Sequence, residues 1–164
     1  MRIIGIDPGY AIVGYGVVDY ASGRFKAIDY GAITTKADKH FDQRLHEIHT
    51  DLGTILDEYK PEYMSIEKIF FTTNQKTAID VAQARGVIIL TAKMRGIRIV
   101  EYTPLQVKSA VTGYGKATKK QIQEMTARIL ALGTIPKPDD AADALAVAIC
   151  LAHSYNSQLL GGNR

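Results

Sequence analysis

Apolar positions follow a short period at the start of the chain and a longer one afterwards. Residues 2–7 form a continuous apolar run closed by Asp7-Pro8-Gly9, which predicts a buried strand stopped by a turn. Residues 11–20, rich in Val, Ile, Tyr and Gly, predict a second strand. Ser22-Gly23 supplies the next turn, and residues 25–34 predict a third strand. Then the period lengthens. Phe41, Leu45, Ile48, Leu52, Ile55, Leu56 and Tyr59 fall at helical spacing, predicting an amphipathic helix over 38–59 that Pro61 stops.

The same logic predicts a short strand over 63–66 ending at Glu67, a helix over 74–95 and a fifth strand over 97–102. Pro104 opens a short helix to Val111, and Thr118 with Gln121 forms a capping-box signature for a helix ending at Gly133. After Pro136 and Pro138, Asp139 or Asp140 caps a last helix running to about Tyr155. Three strands followed by alternating helices and strands imply one mixed sheet with helices on its faces. The chain shows no internal repeat and no linker, so residues 1–158 read as a single domain and 159–164 as a flexible tail.

Composition narrows the class. With 164 residues, 46% of them hydrophobic and 23% charged, the chain can bury a core without disulfides or a structural metal. The single Cys150 excludes an internal disulfide and a cysteine-rich zinc site, and suits a reducing cytoplasm. No uncharged apolar stretch approaches the roughly 20 residues of a membrane helix, so no membrane association is expected. The net charge of +3 is unevenly spread. Residues 1–67 hold 7 Lys/Arg against 11 Asp/Glu, whereas 68–98 and 104–137 each hold 6 against 1. Two basic segments on one side of the fold would make a polyanion-binding face; two ordinary solvated helices would give the same arithmetic.

Four carboxylates stand apart from the solvated helix faces. Asp7 and Glu67 end apolar strands, and Asp140 and Asp143 open the last helix three residues apart, on one face. Sites in open α/β sheets lie beyond the carboxyl ends of the strands, so Asp7 and Glu67 meet if their strands are neighbours. A cluster of hard oxygen ligands without His or Cys favours Mg²⁺ or Mn²⁺, and two such ions about 4 Å apart can drive phosphodiester hydrolysis. Each residue also has a plainer role open to it. Asp7 could cap the Pro-Gly turn, Glu67 could pair with Lys68, Asp140 could be an N-cap, and Asp139 could replace Asp140 opposite Asp143. His46 and His49 share a helix face but lack a third ligand at suitable spacing, His153 lies too far along its helix from Asp143, and no serine or Cys150 stands in a nucleophile context.

Two further features suit a nucleic-acid partner. Phe70-Phe71 lies in a polar loop, where an aromatic could stack on unpaired bases or plug the core. Lys108, Lys116, Lys119 and Lys120 flank the glycine-rich loop Gly113-Tyr114-Gly115 near a helix start, a setting suited to phosphate or simply to solvent.

Taken together, several blocks of this sequence resemble the RuvC family of bacterial crossover-junction endodeoxyribonucleases, the Holliday-junction resolvases. They are Ile4-Gly5-Ile6-Asp7-Pro8-Gly9 with Gly14-Tyr15-Gly16-Val17, Ile66-Glu67-Lys68-Ile69-Phe70, Gln83-Ala84-Arg85-Gly86, Gln106-Val107-Lys108, Val111-Thr112-Gly113-Tyr114-Gly115 and Asp140-Ala141-Ala142-Asp143-Ala144-Leu145-Ala146. The resemblance spans nearly the whole chain. It implies a ribonuclease-H-like α/β fold, a mixed five-stranded sheet flanked by helices, in a cytoplasmic bacterial homodimer. The implied activity is Mg²⁺-dependent nicking of two opposed strands of a four-way DNA junction, leaving 5′-phosphate and 3′-hydroxyl ends, in recombination and repair. The family's acidic positions fall on Asp7, Glu67, Asp140 and Asp143, leaving Asp139 a capping role. Asp7 is expected to bridge two Mg²⁺ ions, with Glu67 on one side and Asp140 and Asp143 on the other; Mn²⁺ should substitute. The stacking aromatic matches Phe70, and the DNA-facing lysines match Lys108 and Lys119. Lys116 and Lys120 join them on charge alone. The branch-migration motor RuvA–RuvB is the implied partner. An actin-like or sugar-kinase ATPase would need a second phosphate loop and a second lobe, which this chain lacks.

Overall fold

A computed structural model describes residues 1–68 and 75–161; of 75–76 and 156–161 it describes the backbone alone. The described elements are β1 (Arg2–Asp7), β2 (Ile12–Ala21), β3 (Arg24–Thr34), α1 (Phe41–Tyr59), β4 (Tyr63–Glu67), α2 (Gln75–Lys93), β5 (Arg98–Tyr102), α3 (Pro104–Thr112), α4 (Lys119–Ile129) and α5 (Asp139–Gly161). The sheet order is β3-β2-β1-β4-β5. The β1–β2 and β2–β3 pairs are antiparallel, and β1–β4 and β4–β5 are parallel. This is the expected mixed sheet. Ser22 (φ 50°) and Gly23 (φ 78°) both adopt the left-handed conformation, the form a tight β2–β3 hairpin turn demands.

Side-chain alternation on the central strands feeds two cores. Ile4, Ile6, Val17, Met64 and Ile66 face α1 and α2, packing against Ile48, Leu52 and Ile88. Ile3 and Val18 face the other way, onto Leu145, Ile149 and the α3–α4 layer. Helix α5 is the buried spine of that second layer, with residues 144–152 almost fully enclosed. It lies unusually close to the sheet. A Cβ on Gly5 would stand 1.9 Å from the Ala144 carbonyl oxygen, so only glycine lets the backbones of β1 and α5 approach so closely.

Element ends differ from expectation in three places. Helix α4 stops at Ile129 rather than Gly133, because Ala131 takes the left-handed conformation (φ 52°) that glycine was expected to supply. Helix α5 extends beyond Tyr155, to Gly161. Residue 139 belongs to α5 as its first residue, and its carboxylate takes a hydrogen bond from Lys137 Nζ at 2.9 Å; it pairs with a lysine where a cap was expected.

Candidate active site

The sheet topology places the acidic residues. Parallel pairing of β1 with β4 sets Ile6 opposite Ile66, so Asp7 and Glu67 leave the same sheet edge from adjacent strands. Across the antiparallel pair, Asp7 faces Gly14. A Cβ at Gly14 would lie 2.1 Å from the carbonyl oxygen of Asp140, so the bare Gly14 backbone admits the first turn of α5 directly beside Asp7. Asp143 stands one turn further on. Topology, one glycine and the helix repeat thus bring four carboxylates to one edge.

Their charges act on one another. Burial pushes the Asp7 carboxyl up to about 7, and the neighbouring charges of Asp143, Glu67 and Asp140 push in the same direction; Lys119 opposes them. Glu67 is raised by burial and then by Asp143, with Lys108 pulling it back. Asp143 is raised by burial too, against a hydrogen bond from Lys119. Lys119 Nζ lies 2.9 Å from Asp143 Oδ2. A cleft of about 190 Å³ opens here, lined by Glu67, Lys108, Lys119 and Asp143 over Val107 and Ile122.

Among the described residues, no three carboxylates meet as a ready-made ligand set for one ion. Lys119 engages Asp143. The donor set nevertheless fits divalent metal. It is oxygen-only and multiply acidic, and its mutual repulsion is what a hard cation relieves. The plainer roles are not what the structure displays. Among the described residues Glu67 makes no ion pair with Lys68, and Asp139 pairs with Lys137 while the charge of Asp140 acts on Asp7.

The other candidates divide. Lys108 and Lys119 line the cleft. Lys120 is 81% exposed and among the described residues pairs with Glu124, and Lys116 is exposed on its loop; neither lines the cleft. Phe70 and Phe71 lie outside the described residues. His49 hydrogen-bonds Thr91 and His153 the Ala110 carbonyl, in keeping with structural roles. Gly14 and Ser65 escaped sequence reasoning. The buried Ser65 Oγ donates to the Val147 carbonyl at 2.7 Å, tying β4 to α5 just before Glu67. A Gly-x-Gly on a strand, two positions of one face without side chains, was the available signal for the first.

A five-stranded mixed sheet carrying acidic residues at β1, β4 and the last helix defines a ribonuclease-H-like protein. The family model for "Crossover junction endodeoxyribonuclease RuvC" matches residues 3–151, and the chain belongs to that family. A crossover junction endodeoxyribonuclease RuvC of Syntrophomonas wolfei is 56% identical over 155 residues, covering 94% of this chain and 90% of its own. One from Fusobacterium nucleatum is 53% identical over 162 residues, covering 99% and 85%. The solved structure of Thermus thermophilus RuvC in complex with Holliday junction substrate superposes with a TM-score of 0.88 at 28% identity, covering 96% of both chains.

Proposed function

We propose that the protein resolves four-way DNA junctions by paired symmetric nicks, as a metal-dependent endodeoxyribonuclease whose site is Asp7, Glu67, Asp140 and Asp143. The observation that carries this reading is the half-buried Asp7 carboxyl, under the charge of three other carboxylates and of Lys119. Family membership supplies the substrate.

In this reading Asp7, whose charge is coupled to all three acidic neighbours, would hold metal together with them. Glu67 binds on the β4 side, and Asp140 and Asp143 on the α5 side. Two Mg²⁺ ions, or Mn²⁺ in their place, supply Lewis acidity for water activation and charge neutralisation at the departing 3′-oxygen. Lys119, paired with Asp143, and Lys108 across the cleft would each offer a cation to a phosphate oxygen. The apolar floor of Val107 and Ile122 limits bulk water there. Phe70 is the stacking residue by resemblance, and Lys116 and Lys120 are peripheral phosphate contacts at most.

Two opposed cuts require two sites, and one chain brings one. The outer face of α2 offers a surface for a second copy: Ile79 and Leu90 on the helix and Met94 just past its end are 64%, 58% and 69% exposed, with Gly86 open between the first two. Resemblance adds RuvA–RuvB as the delivering motor and the bacterial cytoplasm as the compartment. Among the described residues no helix is long and apolar enough to cross a membrane.

A synthetic four-way junction with Mg²⁺ tests the reading. Symmetric nicks that a ligase reseals are expected, with none after chelation or in Asp7→Asn. Junction binding without nicking by the wild-type protein in either Mg²⁺ or Mn²⁺ would overturn it. Equal cutting of plain duplex would reduce it to a general nuclease.

A further inference from the structure

Helix α1 begins against the turn that follows Asp7. The rings of Tyr10 and Phe41 meet edge-on at 6.0 Å. Thr35, just past β3, donates its hydroxyl to the Tyr10 carbonyl at 2.6 Å and its N–H to the Ala11 carbonyl at 3.0 Å. In the first turns of α1 stands Arg44, only 8% exposed. Its Nε donates to Thr35 Oγ1 at 2.8 Å, Nη2 reaches the Tyr10 carbonyl at 3.5 Å, and the guanidinium carbon lies 4.7 Å from the Tyr10 ring centre.

Among the described residues this guanidinium has no counter-ion. Asp38 and Asp42, its acidic neighbours in sequence, are exposed. A nearly buried cation without an anion is costly, and an apolar side chain of similar length would fill the space better. The neighbouring groups hold Arg44 in place without neutralising it. Its Nη1 donates to no described residue and is not among the fully enclosed atoms. Beside it, the α1 N-cap residue His40 gives no side-chain hydrogen bond, leaving the first-turn N–H groups without a side-chain acceptor. Lys36 is exposed on the same loop.

We propose that Arg44, together with the uncapped start of α1, binds a backbone phosphate of the DNA strand running past Asp7, next to the scissile one. A fixed planar fork and a helix N-terminus are both suited to phosphate. The contact would set the register of the strand over the carboxylates, since Arg44 and Asp7 flank the same turn. This rests on the junction-cleaving reading above.

The test is junction binding in the absence of divalent metal, over a range of salt, by the wild type, Arg44→Met, Arg44→Lys and His40→Asp. Arg44→Met should bind more weakly, with a log-affinity against log-salt slope shallower by about 0.9, the loss of one phosphate contact. Arg44→Lys should recover that slope. His40→Asp supplies the missing N-cap, so its melting temperature should rise, yet its carboxylate competes for the phosphate site. Its binding should therefore fall by about threefold or more at low salt and recover towards wild type at high salt. A wild-type slope in Arg44→Met, or tighter folding with unchanged binding in His40→Asp, would overturn the proposal and leave Arg44 a clamp on the turn. Should Arg44→Met not fold, His40→Asp decides alone. A wild-type protein that binds no junction would instead sink the functional reading, and this contact with it.

Discussion

Replacing Asp7 by Asn should abolish nicking while making the metal-free protein more stable. The Asp7 carboxyl is pushed from its ordinary 3.8 to about 7 by burial and by Asp143, Glu67 and Asp140. Each pK unit corresponds to about 1.4 kcal/mol, so ionising Asp7 in the folded protein costs about 4 kcal/mol more than in the unfolded chain. Because the folded value is the higher, the native state binds more protons between the two values. Asp7's contribution to stability is therefore fully present below about pH 4 and is lost progressively as pH rises through about 7. Asparagine keeps the shape and removes the charge. Water reaching the half-buried carboxylate screens part of the effect, so a realised gain of about 2 kcal/mol at pH 8 is a fair expectation.

Urea or thermal unfolding with chelator, at pH 4.5 and pH 8, checks this. For a chain of this size 2 kcal/mol corresponds to roughly 4–8 °C in Tm at pH 8. The gain should shrink at pH 4.5, where wild-type Asp7 is largely protonated. Adding Mg²⁺ should narrow the gap at pH 8, since ions binding the folded state stabilise the wild type more than the variant. A variant no more stable than wild type at pH 8, or equally shifted at both pH values, would refute the idea that the four carboxylates burden one another.

Three other changes probe the same architecture. Lys119→Met removes the cation that lowers both Asp7 and Asp143, so their pKa values rise and the acidic limb of the pH–rate profile for junction nicking should move to higher pH; an unmoved limb would place Lys119 outside the electrostatics of the site. Gly14→Ala puts a Cβ 2.1 Å from the Asp140 backbone oxygen, so α5 must shift; a loss of about 1–3 kcal/mol in unfolding experiments and a larger loss of nicking are expected, and wild-type behaviour in both would show that the approach is not tight. Leu90→Asp, on the 58% exposed outer face of α2, should leave folding intact and give monomers in sedimentation analysis; an unchanged mass would move the contact between copies elsewhere.

What the amino-acid pattern disclosed and what it hid follow from the range of the interactions involved. The strands and the Thr118–Gln121 capping box were legible because alternation, turns and caps are local. Asp7 and Glu67 were legible because a carboxylate at the end of an apolar strand is conspicuous, although their meeting depended on β1 and β4 being neighbours. Asp139 and Asp140 could not be separated by spacing, since residues three and four apart share one helix face. The distinction came from one tertiary and one local contact: Gly14 receives the Asp140 backbone, while Asp139 pairs with Lys137. Charge arithmetic likewise grouped Lys116, Lys119 and Lys120, although only Lys119 finds an acidic partner from another element in the cleft. It failed most completely at Arg44, one cation in a segment of net negative charge. Sequence counts treat every charge as solvated, so a buried one that no carboxylate balances becomes visible only when the Tyr10 turn, Thr35 and α1 are assembled around it. Charges left uncompensated by the fold are where its ligands must act: carboxylates that crowd one another call for cations, and a guanidinium without an anion calls for phosphate.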